Sequence, residues 1–291
     1  MPQNPHLSSA LARLETRWGS AAVRLGTDGA LALAAAAEPA LSAPVGRDQA
    51  APALADDIVP TGFPRLDALL GVGGLPRGVS ASFRGPRSCG KTALALHCLA
   101  QAQARGTICA YLDLCRDFDP LEAVSRGVDL RWLLVLRPAD PAEGFALAAA
   151  LLAGRAVDLL VVDLPARLPA RQEAALRRLA GHARRARVRL IVLEPVGLAA
   201  ALHGALAESV GLRLELEQRA WLRAGRDVVG RCVAVNVAKN RFAPPGRQAE
   251  LEIRYLADGE HAGALERFAE RGRIAVAGEA EQAPTLLRLP A

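Results

Sequence analysis

The sequence predicts an α/β fold: a mainly parallel sheet with an antiparallel extension, a phosphate-gripping loop at its centre and a helix ahead of it near the N-terminus. Three observations predict it. Between residues 79 and 194, short apolar runs alternate with Ala/Leu-rich stretches of helical character, the pattern of strands covered on both faces by helices. Within that alternation GPRSCGKTA (85–93) stands where a strand gives way to a helix. From residue 211 the strand-like runs follow one another across short turns with no helix between them, which argues antiparallel pairing.

Taken in order, Leu7, Leu11, Leu14 and Trp18 recur at helical spacing among Ser8, Ser9, Arg13, Glu15 and Arg17, so 7–18 reads as a short amphipathic helix. It docks either on its own core or on a neighbouring subunit. Residues 28–57 are rich in Ala and Pro and read as a flexible linker or weakly ordered insertion. VSASFR (79–84) reads as a buried strand, and ALALHCLAQAQA (93–104) as the helix after the loop. Further strands are expected at TICAYLD (107–113), VDLLVVD (157–163), VRLIVLE (188–194), GLRLELEQ (211–218), CVAVNVAKN (232–240) and AELEIRY (249–255). Helices are expected at EGFALAAALLAGRA (143–156) and ARQEAALRRLAGHARRA (170–186). Residues 259–291 carry little pattern and read as a loosely attached tail.

Composition bounds the function classes. At 291 residues and 51% hydrophobic, the chain can bury one substantial core. The net charge of +6 permits an anionic partner such as nucleic acid without identifying one. Five cysteines with no C-x-x-C pair argue against a disulfide framework or a zinc site. The N-terminal residues lack the basic start and apolar run of a signal peptide, and no apolar run approaches the ~18 residues that span a bilayer. A soluble, cytoplasmic protein without a membrane partner is expected.

Gly85, Pro86, Arg87, Ser88, Cys89, Gly90, Lys91 and Thr92 satisfy G-x-x-x-x-G-K-[ST]. Glycines at the first and sixth positions let backbone N–H groups turn inward on phosphates, and the helix start adds partial positive charge. Lys91 reaches the β and γ oxygens, while the Thr92 hydroxyl ligates Mg²⁺. Asp163 ends an apolar strand, where a second Mg²⁺-organising group is needed. The expected cofactors are therefore ATP and Mg²⁺.

A second feature is basic. Eight arginines lie between Arg167 and Arg189 against one acid, Glu173. Arg171, Arg178 and Arg185 repeat every seven residues opposite Leu176, Leu179, Ala180 and Ala183, forming a stripe. It is either a solvated helix face or a track for a phosphate backbone. No aromatics interleave, so no stacking platform for single strands is indicated.

The chain resembles the RecA family from residue 8 to about 260, through SALARLETRWGSAAVRLG, VPTGFPRLDALLGVGGLPRG, GPRSCGKT, YLDLCRDFDP, VDLLVVD and VGRCVAVNVAKNRFAPPGRQAELEI. The resemblance implies a RecA-like ATP-binding core over 58–258, preceded by an oligomerisation segment (1–27) whose helix and strand pack on a neighbouring protomer. The linker (28–57) joins the two, and the tail (259–291) follows. It also implies that Lys239 and Arg241 approach a nucleotide held across a subunit interface, and that Asp119 contacts adenine.

Several positions depart from the family pattern. Cys115 stands where the family carries the acid that polarises the attacking water, and a thiol cannot hold that water as a carboxylate does. Asp113 and Asp117 are the candidate substitutes. Glu122 replaces an aromatic that stacks on the base, and Pro195, after Glu194, replaces a polar sensor of the γ-phosphate. Both DNA-binding loops are reduced, to LPARLP (164–169) and VGLAAALHGALAES (196–209). These departures are similar to those of the ImuA type of RecA-like protein, which is associated with error-prone polymerases.

Two functions are therefore expected to compete. One is an ATP-binding accessory of DNA repair, recombination or SOS-type mutagenesis, with weak or absent hydrolysis, partnered by DNA, a RecA protein or translesion polymerase components. The other is an active DNA-dependent ATPase forming filaments on single-stranded DNA. Both imply a homo- or hetero-oligomer.

Overall fold

The computed structural model describes residues 57–255 and the backbone of 23–25. The helix expected over 7–18, the linker up to residue 56 and the tail from 259 lie outside the described residues. In chain order the elements are β1 (Val23–Leu25), β2 (Ile58–Val59), α1 (Pro64–Leu70), β3 (Leu75–Pro76), β4 (Ser80–Gly85), α2 (Lys91–Gln103), β5 (Cys109–Asp113), α3 (Pro120–Ser125), β6 (Leu133–Leu136), α4 (Pro141–Ala153), β7 (Leu159–Asp163), α5 (Glu173–Ala186), β8 (Arg189–Pro195), α6 (Ala200–Ser209), β9 (Leu212–Ala224), β10 (Asp227–Asn240) and β11 (Gln248–Arg254). Among them no helix is long and apolar enough to cross a membrane.

All these strands except β2 and β3 form one sheet in the order β1-β6-β5-β7-β8-β4-β9-β10-β11. From β6 to β9 every neighbour is parallel. β10 and β11 then continue the sheet antiparallel. The three-strand extension expected from residue 211 is thus shared: β9 pairs parallel to β4 on one side and antiparallel to β10 on the other. β6 was not anticipated, because LLVL is too short to show a period. β1 pairs with β6 within the same chain, Val23 opposite Leu136, whereas the resemblance placed the N-terminal strand on a neighbouring protomer.

Burial on both faces explains the near-continuous apolar strands. On one face Ala81, Phe83, Ile191 and Leu193 pack with Leu94 and Leu99 of α2. On the other, Leu190 and Val192 pack with Leu151 of α4, Leu179 of α5 and Leu202 of α6. Helix starts follow local chemistry: Asp140 accepts from the amides of Ala142 and Glu143, with Pro141 at the first helical position of α4.

One charged cluster interrupts the second face. Fully buried Glu194 accepts from Ser82 Oγ (2.7 Å), His203 Nδ1 (2.6 Å) and Arg213 Nη2 (3.2 Å), with Arg84 Nε at 3.5 Å. The network joins β4, β8 and β9 to α6. Arg213, itself only 5% exposed, is neutralised chiefly by this buried carboxylate, with the more exposed Glu215 3.8 Å from its Nε. Removing one partner of a buried ion pair costs about 3–5 kcal/mol because the other charge is left uncompensated. Glu194→Ala is therefore expected to destabilise the protein by about that amount in urea unfolding. Glu194→Gln, which keeps an acceptor oxygen, should cost less.

Candidate nucleotide-binding site

The centre of the sheet dictates the site. β4 lies between β8 and β9, and its carboxyl end runs into the loop of residues 85–92 before α2 begins at Lys91. The loop is tightly packed where it turns. Gly90 caps α2 in the left-handed region (φ 95°), where an added Cβ would sit 2.8 Å from Ile253 Cδ1. A Cβ at Gly85 would meet the Leu216 carbonyl oxygen at 2.5 Å. Both glycine requirements of the motif are therefore steric facts here.

A cleft of about 340 Å³ opens over this loop. Lys91, Thr92, Cys115, Asp117, Asp163 and Arg231 are among the residues that line it. Lys91 Nζ donates to the carbonyls of Gly85 (2.8 Å) and Pro86 (2.9 Å), so its charge is held at the loop. The glycine cradle, the Lys91 ammonium and the paired Thr92 hydroxyl and Asp163 carboxylate form a donor set that suits a phosphate chain with a hard cation. Thr92 and Asp163 would hold Mg²⁺, and Lys91 with the loop amides would hold the phosphates.

The acids have different surroundings. Asp163 ends β7 directly opposite Asp113 of β5, and Tyr111 Oη donates to its Oδ2 at 3.0 Å. Burial, reinforced by the neighbouring carboxylates, pushes Asp163 up to about 6, while the Tyr111 hydroxyl and Lys91 pull it down. Asp113 is only 1% exposed and is used up by structure: it accepts from the amides of Asp117 (3.0 Å) and Phe118 (3.3 Å) and from Arg137 Nε (2.9 Å). It is not among the cleft residues. Of the two candidate substitutes for the missing acid, only Asp117 faces the cleft, exposed and 3.6 Å from Arg87.

Cys115 lines the same cleft, its Sγ 3.9 Å from the Asp163 carbonyl. Burial and three nearby aspartates push the thiol up to about 12, so it stays protonated and offers no base. Asp119 is exposed and caps α3, accepting from the amides of Leu121 and Glu122. Glu122 pairs with Arg126, whose side chain is buried beneath it (Nε to Oε1, 2.7 Å). An ion pair therefore stands where the resemblance implied a stacking ring.

These alignments of strand, loop and acid have a parallel in known proteins: the model of the RecA N-terminal domain matches residues 45–192. The chain belongs to the RecA family. It is 35% identical to Protein RecA of Leifsonia xyli subsp. xyli over 252 residues, covering 77% of this chain and 70% of that protein. With Protein RecA of Acidiphilium cryptum it shares 32% over 284 residues, covering 88% and 76% of the two chains. The crystal structure of the RadB recombinase has the same fold, with a TM-score of 0.50 at 24% identity, covering 67% of this chain and 96% of that one.

Other expected site residues of this RecA-family chain lie apart from the loop. Lys239 opposes Arg213, and Arg241 lines a separate groove with Gly78 and Ser80, at the end of β4 remote from Gly85. Lys239 Nζ donates to the Ala207 carbonyl at the C-terminus of α6 (2.6 Å). The register puts Lys239 level with Ser82 and Arg241 level with Ser80, and along a strand the three-residue offset from Ser82 to Gly85 is already about 10 Å, so neither cation serves this chain's own loop. Arg171, Arg178 and Arg185 are exposed on or just before α5, over the buried Leu176, Leu179, Ala180 and Ala183. No carboxylate lies within 4.0 Å of them among the described residues. Sequence reasoning missed Arg137, Tyr111 and Arg231, because their roles depend on partners far away in the chain, and it missed Arg126 although its partner Glu122 is only four residues away.

A carboxyl raised by burial favours the folded state while protonated and penalises it once ionised. Metal-free stability contributed by Asp163 therefore falls as pH rises from about 4 to about 6. Asp163→Asn removes that penalty. It is expected to raise stability by up to roughly 3 kcal/mol at pH 8 and by little at pH 4, read from denaturant midpoints without nucleotide.

Proposed function

We propose that this RecA-family chain binds Mg²⁺·ATP in the cleft over residues 85–92 and acts in DNA repair or recombination as an accessory that hydrolyses ATP weakly or not at all. The observation that carries the reading is Cys115, a protonated thiol in the cleft at the position of the family's catalytic acid. Without a carboxylate there, that position does not hold the attacking water and take its proton, a contribution worth about 10²–10⁴ in rate. Lys91 and the loop amides bind the phosphates, while Thr92 and Asp163 hold the metal, which supplies charge neutralisation.

The same reading explains the two reduced loops. Only Leu164–Pro169 separate β7 from the next helical turn. Beyond Pro195, α6 occupies most of the second segment and is tied to Glu194 through His203. A fixed helix does not reach between nucleotides as a mobile loop does, so nucleotide occupancy is uncoupled from strand exchange. The function left is assembly, with Lys239 and Arg241 presented to a nucleotide on a neighbouring copy or on a RecA partner. Damage-induced mutagenesis beside a translesion polymerase is the setting this accessory role fits. Arg171, Arg178 and Arg185 provide a sequence-blind contact to nucleic acid.

A second reading is an active DNA-dependent ATPase with Asp117 as base. The observation that favours it is the exposed Asp117 carboxylate facing the cleft. Steady-state hydrolysis with and without single-stranded DNA, beside a binding titration, separates the two. Binding without DNA-stimulated turnover supports the accessory, and Cys115→Glu is then expected to raise turnover about 100-fold. DNA-stimulated turnover abolished by Asp117→Asn would establish the second reading. For the basic stripe, changing Arg171, Arg178 and Arg185 together to Gln is expected to flatten the slope of log affinity for single-stranded DNA against log salt by about 2. An unchanged slope would remove the stripe from the interface.

A further inference from the structure

Arg231 has no part in the motif, yet the fold brings it to the phosphate loop from more than a hundred residues away. It shares the face of β10 with Val233, Val235 and Val237, the face buried toward α2. Val233 and Ile253 pack so closely on Gly90 that a Cβ there would lie 3.3 Å from Val233 Cγ2 and 2.8 Å from Ile253 Cδ1. The next residue outward on that face is therefore carried to the rim of the loop. There Arg231 Nη1 donates to the Ser88 carbonyl, and the side chain forms part of the cleft wall.

Three further contacts fix the guanidinium. Trp221 is its direct partner across β9 and β10, with the indole centre 5.4 Å from Cζ. The Tyr255 ring lies 5.3 Å away, and Nε donates to the Tyr255 hydroxyl at 2.8 Å. A delocalised planar cation between two rings is the arrangement in which arginine loses little freedom on making each hydrogen bond. Ser88, which it grips, is a non-glycine residue in the left-handed region, φ 58°. Such a conformation persists only where its surroundings hold it.

The consequence for the loop follows from peptide geometry. No peptide bond among the described residues is cis, and a trans peptide sets the Ser88 carbonyl and the Cys89 N–H on opposite sides of the chain. Pinning the oxygen therefore fixes the direction of the amide. We propose that Arg231 is a positioning residue for nucleotide binding: clamped between Trp221 and Tyr255, it holds the Ser88 carbonyl outward so that the Cys89 amide points to the phosphates. The inference rests on the nucleotide reading of the cleft. Because the clamp acts on the loop backbone, it serves any ligand carrying a diphosphate and is indifferent to base and ribose.

The test is calorimetric titration of the full chain with Mg²⁺·ATP, Mg²⁺·ADP and inorganic pyrophosphate. Arg231→Gln is expected to weaken all three by about tenfold, the worth of one charge-assisted hydrogen bond. Arg231→Lys, which still donates but stacks less well, should lose about threefold. Trp221→Leu leaves the loop and Arg231 in place and removes one ring; it should also lose about threefold for all three ligands, and it keeps the test valid if the Arg231 variants fail to fold. Unchanged affinities would overturn the clamp, as would a loss confined to ATP and ADP with pyrophosphate unaffected, since that pattern belongs to a base or ribose contact. Failure of the unaltered protein to bind any of the three would overturn the nucleotide site itself, and the clamp with it.

Discussion

Parallel pairing of β5, β7, β8 and β4 delivers four strand ends to one edge of the sheet, and the candidate chemistry of the chain lies along that edge. Asp113 stands opposite Asp163, and Gly85 opposite Pro195. The register forces these neighbours together, because each crossover returns the chain to run in the same direction. The placement of the loop at 85–92, the Asp163 carboxylate and the thiol at 115 is thus a consequence of one hydrogen-bonding pattern. The helix start at Lys91 adds its dipole at the same place.

Two buried carboxylates then show how the same chemistry serves structure. Asp113 is neutralised by Arg137 and by two loop amides, which shape the segment leading to Asp119. Glu194 is neutralised by Arg213 and hydrogen-bonded to His203, and these contacts fasten α6 across the sheet. Each charge has given up its freedom to act on water or substrate in exchange for partners, since a desolvated carboxylate without them is costly. Asp163 and Asp117 keep access to the cleft, and burial raises the proton affinity of Asp163.

The antiparallel strands do more than extend the sheet. β10 carries Val233 under Gly90 and Arg231 onto Ser88 at one end, and Lys239 at the other, with Arg241 just beyond its last residue. A single strand therefore touches the phosphate loop of its own chain and presents cations at the opposite edge.

Much of this was legible in the sequence, for local reasons. The strand-loop-helix unit, the apolar runs buried on both faces and the amphipathic α5 are written in residues a few positions apart, and backbone sterics and periodicity read them directly. Cys115, Pro195 and the short segments after Asp163 and Pro195 were equally plain from the order of residues, and the resemblance to the RecA family marked them as departures. Tertiary structure alone decided the rest. It consumed Asp113 with Arg137, turned Asp119 into a helix cap, locked Glu194 under α6 and set Arg231 on the phosphate loop. Burial and partnership depend on strand register and packing between distant segments, and no local pattern encodes which side chain will neutralise which charge.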